Sequence, residues 1–129
     1  MKKSLSENEL AKILVDIFFR IHQKFGPGLF ERVYEELVCF ELDKLGLNYK
    51  RQQEVKLMHE GNDLGVAYRA DLIVQDLVIV ELKSVDELHD IHFKQVLTYL
   101  KLAECKLGLL VNFNVPLIKW GIKRIANGI

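Results

Sequence analysis

The segment YRADLIVQDLVIVELKS, residues 68–84, decides the fold because it places charged side chains within an otherwise apolar pair of strands. Its two β-branched runs are separated only by a Gln-Asp pair, which predicts two antiparallel strands joined by a tight hairpin. Side chains alternate across a strand, so Glu81 and Lys83 share one face. Burial of a charge is costly unless the charge is paired or binds a metal. The presence of Asp71, Glu81 and Lys83 in core strands therefore requires an explanation.

The composition of the 129-residue chain, 50% of it hydrophobic, predicts one domain over residues 1–129. Basic and acidic residues number 18 each, so the net charge is zero and no overall positive field favours nucleic acid or an anionic membrane. Cys39 and Cys105 lack CxxC or metal-binding spacing, which predicts buried free thiols in the cytoplasm, with a disulfide as the alternative. No apolar run is long enough to span a bilayer, so we expect no membrane contact.

Helical periodicity predicts two helices in the first third of the chain. A capping box at residues 6–9 precedes apolar residues that recur at helical spacing as far as Ile21. The segment FGPG at residues 25–28 ends this helix, and a second helix is expected from about Leu29 to Leu45, before Gly46. On it we expect two neighbouring stripes, an apolar one formed by Val33, Leu37 and Phe40, and one formed by Glu31, Tyr34, Glu35 and Val38.

The remainder of the chain alternates strands with one further helix. Period-two alternation from Tyr49 and turn residues at 61–63 predict a hairpin, and the third strand covers about residues 77–84. A helix over about residues 88–104 should pack through Ile91, Val96, Leu97, Leu100 and Leu102. Two strands follow, a buried one at residues 106–113 and an edge strand at residues 116–125. The order ααβββαββ predicts an α/β fold of about five strands, in which the third helix crosses between strands.

The charged residues of the hairpin suit metal-dependent hydrolysis of phosphodiesters. Two neighbouring carboxylates, Asp71 and Glu81, repel each other and so favour a divalent cation between them, and oxygen ligands suit Mg²⁺ or Mn²⁺. Lys83 would orient the attacking water or neutralise the phosphate. Further candidates lie on the helices: Glu31 as a metal ligand, directly or through water, and Gln95 and Tyr99 as residues that position the substrate or the lysine.

Each of these assignments has a structural alternative. Glu81 and Lys83 would also suit a surface ion pair on an edge strand, which contributes little stability. Glu31 would also suit a solvated helix face, and Glu35, one turn further on, competes with it as the site carboxylate. Gln95 and Tyr99 would also suit hydrogen bonds at the helix–sheet interface. For His89 and His92, which lack further zinc ligands, we expect exposed or helix-capping positions instead of a metal site.

Three separated motifs resemble those of a known superfamily. Asp71 followed by Glu81-Leu82-Lys83 resembles the Asp…(Asp/Glu)-x-Lys signature of the PD-(D/E)xK nuclease superfamily. The segment QVLTY, residues 95–99, is similar to the Gln-x-x-x-Tyr motif of its RecB-like members. The segment GLFERVY, residues 28–34, matches the motif of the bacterial GxxExxY protein family within this superfamily, and GLLVNF, residues 108–113, resembles that family's GLLxNF strand.

The resemblance extends from about Leu10 to Arg124 and has definite implications. It implies a restriction-endonuclease-like core, a mixed central sheet flanked by helices. It also implies a metal site formed by Asp71, Glu81, the Leu82 carbonyl and the helix carboxylate Glu31, with Lys83 as the catalytic lysine. One difference is that Arg69-Ala70 stands where the superfamily signature has a proline before the aspartate.

The expected function is that of a Mg²⁺-dependent or Mn²⁺-dependent nuclease. Its partner would be nucleic acid, DNA in preference to RNA, and a homodimer or another protein partner is left open. The alternative is a binding module that keeps the nuclease fold but acts through a partner protein or holds nucleic acid without cleaving it, and the zero net charge favours this non-catalytic alternative. A small-molecule phosphoesterase is a third class, which would require a closed pocket.

Overall fold

The computed structural model describes residues 4–128, so residues 1–3 and 129 of the expected single domain lie outside the described residues. The elements follow the predicted order of two helices, three strands, one helix and two strands. They are α1 (Glu7–Phe25), α2 (Glu31–Leu45), β1 (Tyr49–His59), β2 (Asn62–Val74), β3 (Val78–Lys83), α3 (Asp90–Ala103), β4 (Leu107–Asn112), a short 3-10 helix (Ile118–Trp120) and β5 (Ile122–Ala126).

The strands form one sheet in the order β1-β2-β3-β4-β5. Strands β3 and β4 are parallel, and every other neighbouring pair is antiparallel. A parallel pair needs a crossover connection, which α3 supplies between β3 and β4. The predicted mixed five-stranded α/β architecture is therefore confirmed, and β3 lies in the middle of the sheet.

Helices cover both faces of the sheet. Helices α1 and α2 pack on one face through a large apolar cluster that includes Leu14, Phe18, Val38, Val80 and Leu109. Helix α3 packs on the other face through a smaller cluster that includes Ile79, Val96, Leu100 and Leu110. Residues 79 and 80 thus belong to opposite faces, as the alternation along β3 predicts. No helix within residues 4–128 is long and apolar enough to cross a membrane.

The structure confirms several local predictions. Ser6 and Glu9 form the capping box at the start of α1, with the Glu9 amide donating to the Ser6 hydroxyl oxygen at 3.1 Å. The third helix is bounded close to its predicted ends, and Cys39 and Cys105 are buried free thiols. The first hairpin turns one residue earlier than predicted, because Glu60 and Gly61 both adopt positive φ and the second strand already begins at Asn62.

Helix α2 buries a different stripe from the one predicted to be its apolar face. Its buried residues are Tyr34, Glu35, Val38, Cys39 and Leu42, whereas Phe40 is 60% exposed. The predicted apolar stripe is the more hydrophobic of the two, but contact with the sheet decides which is buried: the Tyr34 ring stacks on the Phe113 ring at a centroid distance of 4.2 Å. On α3, Ile91 is 56% exposed and does not pack as predicted, because it lies in the first turn.

The predicted edge strand at residues 116–125 is wrong in its first half. The 3-10 helix occupies residues 118–120, and β5 begins only at Ile122. The close approach of Gly121 to Asn112 explains this change of direction. The Asn112 amide donates to the Gly121 carbonyl at 2.8 Å, and a Cβ atom at Gly121 would lie 2.0 Å from the Asn112 carbonyl oxygen. Only glycine permits this contact.

The loop between α1 and α2 is fastened to the core by one tyrosine. The hydroxyl of Tyr34 donates to the Gly26 carbonyl at 2.6 Å and accepts from the Leu29 amide at 3.2 Å. The Ser84 hydroxyl, immediately after β3, donates to the Leu29 carbonyl at 2.7 Å. These bonds set where α2 starts relative to the end of β3, and hence the position of Glu31.

We expect Tyr34→Phe to destabilise the protein by about 1–2 kcal/mol, because it leaves the Gly26 carbonyl and the Leu29 amide without their partner. The corresponding fall in Tm is roughly 3–8 °C, measured by thermal denaturation. Tyr49→Phe is the matched control, since its hydroxyl donates to the exposed Asp43 carboxylate and not to a main-chain group. Equal effects of the two substitutions would contradict a special role for the Tyr34 hydroxyl.

Candidate metal centre

The sheet opens between β2 and β3 next to the two predicted carboxylates. The paired residues are Val74–Val78, Ile73–Ile79 and Leu72–Val80, and the ladder ends there. The next pair in this register would be Asp71 and Glu81. Strand β2 stays paired with β1 beyond this point, so it departs from β3. A gap between two central strands therefore lies at Asp71 and Glu81.

The Asp71 side chain takes the place of the missing ladder contact. Its Oδ2 accepts a hydrogen bond from the Leu82 amide at 2.8 Å, and its Oδ1 accepts one from the Gln52 side-chain amide at 3.2 Å. In a strand the N–H and C=O of one residue point to the same side, so the Leu82 carbonyl also faces the gap. The gap thus presents a carboxylate and a main-chain carbonyl, as the sequence motif implies.

Glu81 is a buried carboxylic acid that lacks a hydrogen-bond partner for one of its oxygens. It is 6% exposed, and its Oε1 is buried with no hydrogen-bond partner among the described residues. Burial, followed by the negative charge of Asp71, raises the pKa of Glu81 to about 9, although Lys83 acts in the opposite direction. The surface ion pair on an edge strand, considered from the sequence, is therefore excluded for Glu81.

Lys83 ends β3 on the same face as Glu81. It is half-buried, and its ammonium group forms no ion pair within residues 4–128. Its backbone is held by a hydrogen bond from the Phe113 amide to the Lys83 carbonyl at 3.0 Å. The lysine is thus anchored through its main chain and keeps its side-chain charge available to a ligand.

A cavity of about 390 Å³ adjoins the gap on the side of α2. Glu31 lines it together with Asp71 and Leu82, and the Glu31 carboxylate makes no hydrogen bond or ion pair within the described chain. Glu81 does not line this cavity. Asp71 lines the cavity together with Glu31 and also interacts with Glu81, so it connects the two carboxylates. In residues 4–128 no three His, Cys, Asp or Glu side chains are assembled closely enough to hold a metal.

Glu35, the competing helix carboxylate, is already fully bonded. It is 7% exposed, and its Oε2 accepts from Arg51 at 2.7 and 3.1 Å. Its Oε1 accepts from the Gln52 side chain at 2.8 Å. The roles of Arg51 and Gln52 were not recognised from the sequence, because they depend on the contact between β1 and α2. Of the two glutamates, Glu31 is the one free to take a ligand.

Helix α3 brings Tyr99 to the carboxylates. The rings of Tyr99 and Tyr68 stack with centroids 3.7 Å apart, and burial together with the charge of Glu81 raises the pKa of both phenols. Gln95 is exposed and makes no hydrogen bond in the described part of the chain, so it does not bridge the helix–sheet interface. Tyr68 was not recognised from the sequence, since only strand pairing places it beside α3.

The two histidines at the start of α3 have the capping role expected from the sequence. His89 is the N-cap residue, and Nδ1 of His92 accepts a hydrogen bond from the His89 amide at 2.9 Å.

Comparison with known families now assigns the chain. Residues 8–125 match the family model described as PD-(D/E)XK nuclease superfamily. The chain belongs to the PD-(D/E)XK nuclease superfamily. No curated protein and no solved structure matches it significantly. The mixed sheet flanked by helices is the architecture expected for this superfamily, and its members generally use divalent metals.

The donor atoms at the gap fit the divalent ion of a PD-(D/E)XK nuclease. Asp71, Glu81 and the Leu82 carbonyl supply hard oxygen ligands, which Mg²⁺ and Mn²⁺ prefer. The partnerless Oε1 of Glu81 is the feature that a cation would satisfy. A cation would also offset the repulsion between Asp71 and Glu81 that raises the pKa of Glu81.

We expect Glu81→Gln to stabilise the metal-free PD-(D/E)XK domain at pH 7 by about 1–3 kcal/mol, because the amide is neutral without binding a proton. The folded pKa of Glu81, about 9, exceeds the ordinary value of 4.5, so its contribution to stability is complete below pH 4.5 and is lost as pH rises through 9. The advantage of the variant should therefore vanish near pH 4.

Denaturant titrations at pH 4 and pH 7 measure this difference. Glu54→Gln is the control, because Glu54 is exposed and pairs only with the exposed Arg69. A lower stability of Glu81→Gln than of the parent at pH 7 would contradict the prediction, because it would show that Glu81 makes favourable contacts in the metal-free state.

Proposed function

We propose that the protein is a metal-dependent nuclease of the GxxExxY group that hydrolyses phosphodiester bonds, with DNA as the preferred substrate. The observation that carries this proposal is the partnerless, buried Oε1 of Glu81 beside Asp71, at the point where the sheet opens. A structural site would not retain two such carboxylates next to a lysine that has no ion pair, because the buried acid costs stability.

The chain's own residues divide the work as follows. Asp71, Glu81 and the Leu82 carbonyl would hold Mg²⁺ or Mn²⁺, and Glu31 would complete the set from the cavity, directly or through water. When bound, the ion supplies an acidified water and positive charge beside the phosphate. Lys83 orients the attacking water and stabilises the negative charge that develops on the phosphate oxygens. Tyr99 restricts solvent access to Glu81, and Gln95, exposed one turn earlier, contacts the nucleic acid.

Lys83→Ala should leave Mn²⁺ affinity within about threefold and lower cleavage at least about a hundredfold, since the lysine serves the reaction and not the ion. Glu81→Ala should lower both the Mn²⁺ affinity and the rate of cleavage. The measurements are calorimetry with Mn²⁺ and cleavage of single- and double-stranded DNA and of RNA. Lys101→Ala, an exposed lysine in the last turn of α3, is the control. Cleavage that survives both site substitutions would contradict the proposal.

The two helix glutamates should respond in opposite ways. Glu31→Gln is expected to lower metal affinity and cleavage at least about tenfold with an unchanged Tm, because the carboxylate is exposed and unpaired. Glu35→Gln should lower stability by about 1–2 kcal/mol, because it weakens the partly buried pair with Arg51. Thermal denaturation and Mn²⁺ calorimetry on both variants test this. The reverse pattern would identify Glu35 as the site carboxylate.

A second candidate is a binding module that holds nucleic acid without cleaving it. It is favoured by the raised pKa of Glu81, which keeps that carboxyl protonated at neutral pH until a cation binds. The same experiments separate the two candidates. Salt-sensitive DNA binding that is unaffected by EDTA, together with no detectable Mn²⁺ binding, would favour the module.

A further inference from the structure

Gln52 occupies an irregular position on β1, directly opposite Asp71. The neighbouring pairs are Arg51–Leu72 and Gln53–Ala70, so the register places Gln52 across from Asp71. Gln52 has a φ of 47°, in the left-handed region that residues other than glycine rarely adopt. Such backbone geometry costs on the order of 1 kcal/mol and persists where the surroundings impose it. The strain at Gln52 therefore calls for a compensating contact.

The side chain of Gln52 makes that contact with two carboxylates. Its Nε2 donates to Glu35 Oε1 at 2.8 Å and to Asp71 Oδ1 at 3.2 Å. A primary amide carries two N–H donors, so one nitrogen satisfies both acceptors without adding charge. Gln52 thus links α2 to β2 on the wall of the cavity that Glu31 also lines.

We infer that Gln52 is a positioning residue for the metal site: its amide holds Asp71 in place and keeps Glu35 engaged, so that Glu31 is the helix carboxylate that binds the ion. This inference rests on the proposed function. Asp71 then has Oδ2 held by the Leu82 amide and Oδ1 by Gln52, which fixes the plane of its carboxylate. Glu35 has both oxygens occupied, by Arg51 and Gln52.

Removal of the amide should loosen the site in two ways. Asp71 would lose the hydrogen bond from Gln52 and gain rotational freedom, and it would face Glu35 with no donor between the two carboxylates. Loss of a residue that orients a metal ligand typically lowers metal affinity by about 10–100-fold. Glycine adopts positive φ without strain, which offsets part of the stability lost with the two hydrogen bonds.

The experiment compares Gln52→Gly with the parent protein. Mn²⁺ affinity is measured by calorimetry and Tm by thermal denaturation of the metal-free protein. Glycine keeps the left-handed backbone and removes the whole side chain with its amide, whereas Gln52→Asn tolerates the same backbone with an amide one methylene too short to reach both carboxylates. Gln53→Ala is the control, since the Gln53 side chain donates only to the Glu54 carbonyl.

At least about a tenfold loss of Mn²⁺ affinity in Gln52→Gly, with Tm within about 3 °C of the parent, would support the inference. A loss below about threefold would overturn it. If Gln52→Gly does not fold, the same limits apply to Gln52→Asn. Absence of Mn²⁺ binding by the parent protein would instead overturn the proposed nuclease function, and with it this inference, so the two failures are distinguishable.

Discussion

The hydrogen bond from the Leu82 amide to the Asp71 carboxylate is the interaction on which the candidate site depends. At this point β2 follows β1 and leaves β3, so the Leu82 amide would otherwise be buried without a partner. The Asp71 side chain satisfies this amide and enters the gap in doing so. One contact therefore ends the ladder, orients a carboxylate and exposes the Leu82 carbonyl to the same space.

The site lies on a sheet whose central strand is packed on both faces. Central strand β3 is covered by α1 and α2 on one face and by α3 on the other, so it can carry Glu81 where water is excluded. That exclusion raises the pKa of Glu81 and makes the metal-free site unfavourable. The same low-dielectric surroundings that destabilise Glu81 would strengthen its attraction to a cation.

Two glutamates of α2, Glu31 and Glu35, lie beside the gap between β2 and β3, and their hydrogen bonds distinguish their roles. Glu35 is held by Arg51 and Gln52 and acts as part of the framework between α2 and β1. Glu31, one turn earlier, is exposed to the cavity because the Tyr34 hydroxyl and Ser84 fasten the preceding loop. Spacing along α2 does not distinguish these glutamates, since both fall on the same helical face.

The sequence by itself determined the order of elements and an α/β fold of about five strands, because apolar periodicity is a property of neighbouring residues. The mixed sheet and the candidate site residues Asp71, Glu81 and Lys83 were predicted from the resemblance of local motifs to those of the superfamily. Tertiary structure alone decided the buried stripe of α2, the 3-10 turn before β5, and the roles of Arg51, Gln52 and Tyr68. Each of these depends on contacts between separate segments of the chain: Tyr34 with Phe113, Gly121 with Asn112, and β1 with α2. Such contacts leave no periodic signal in the sequence.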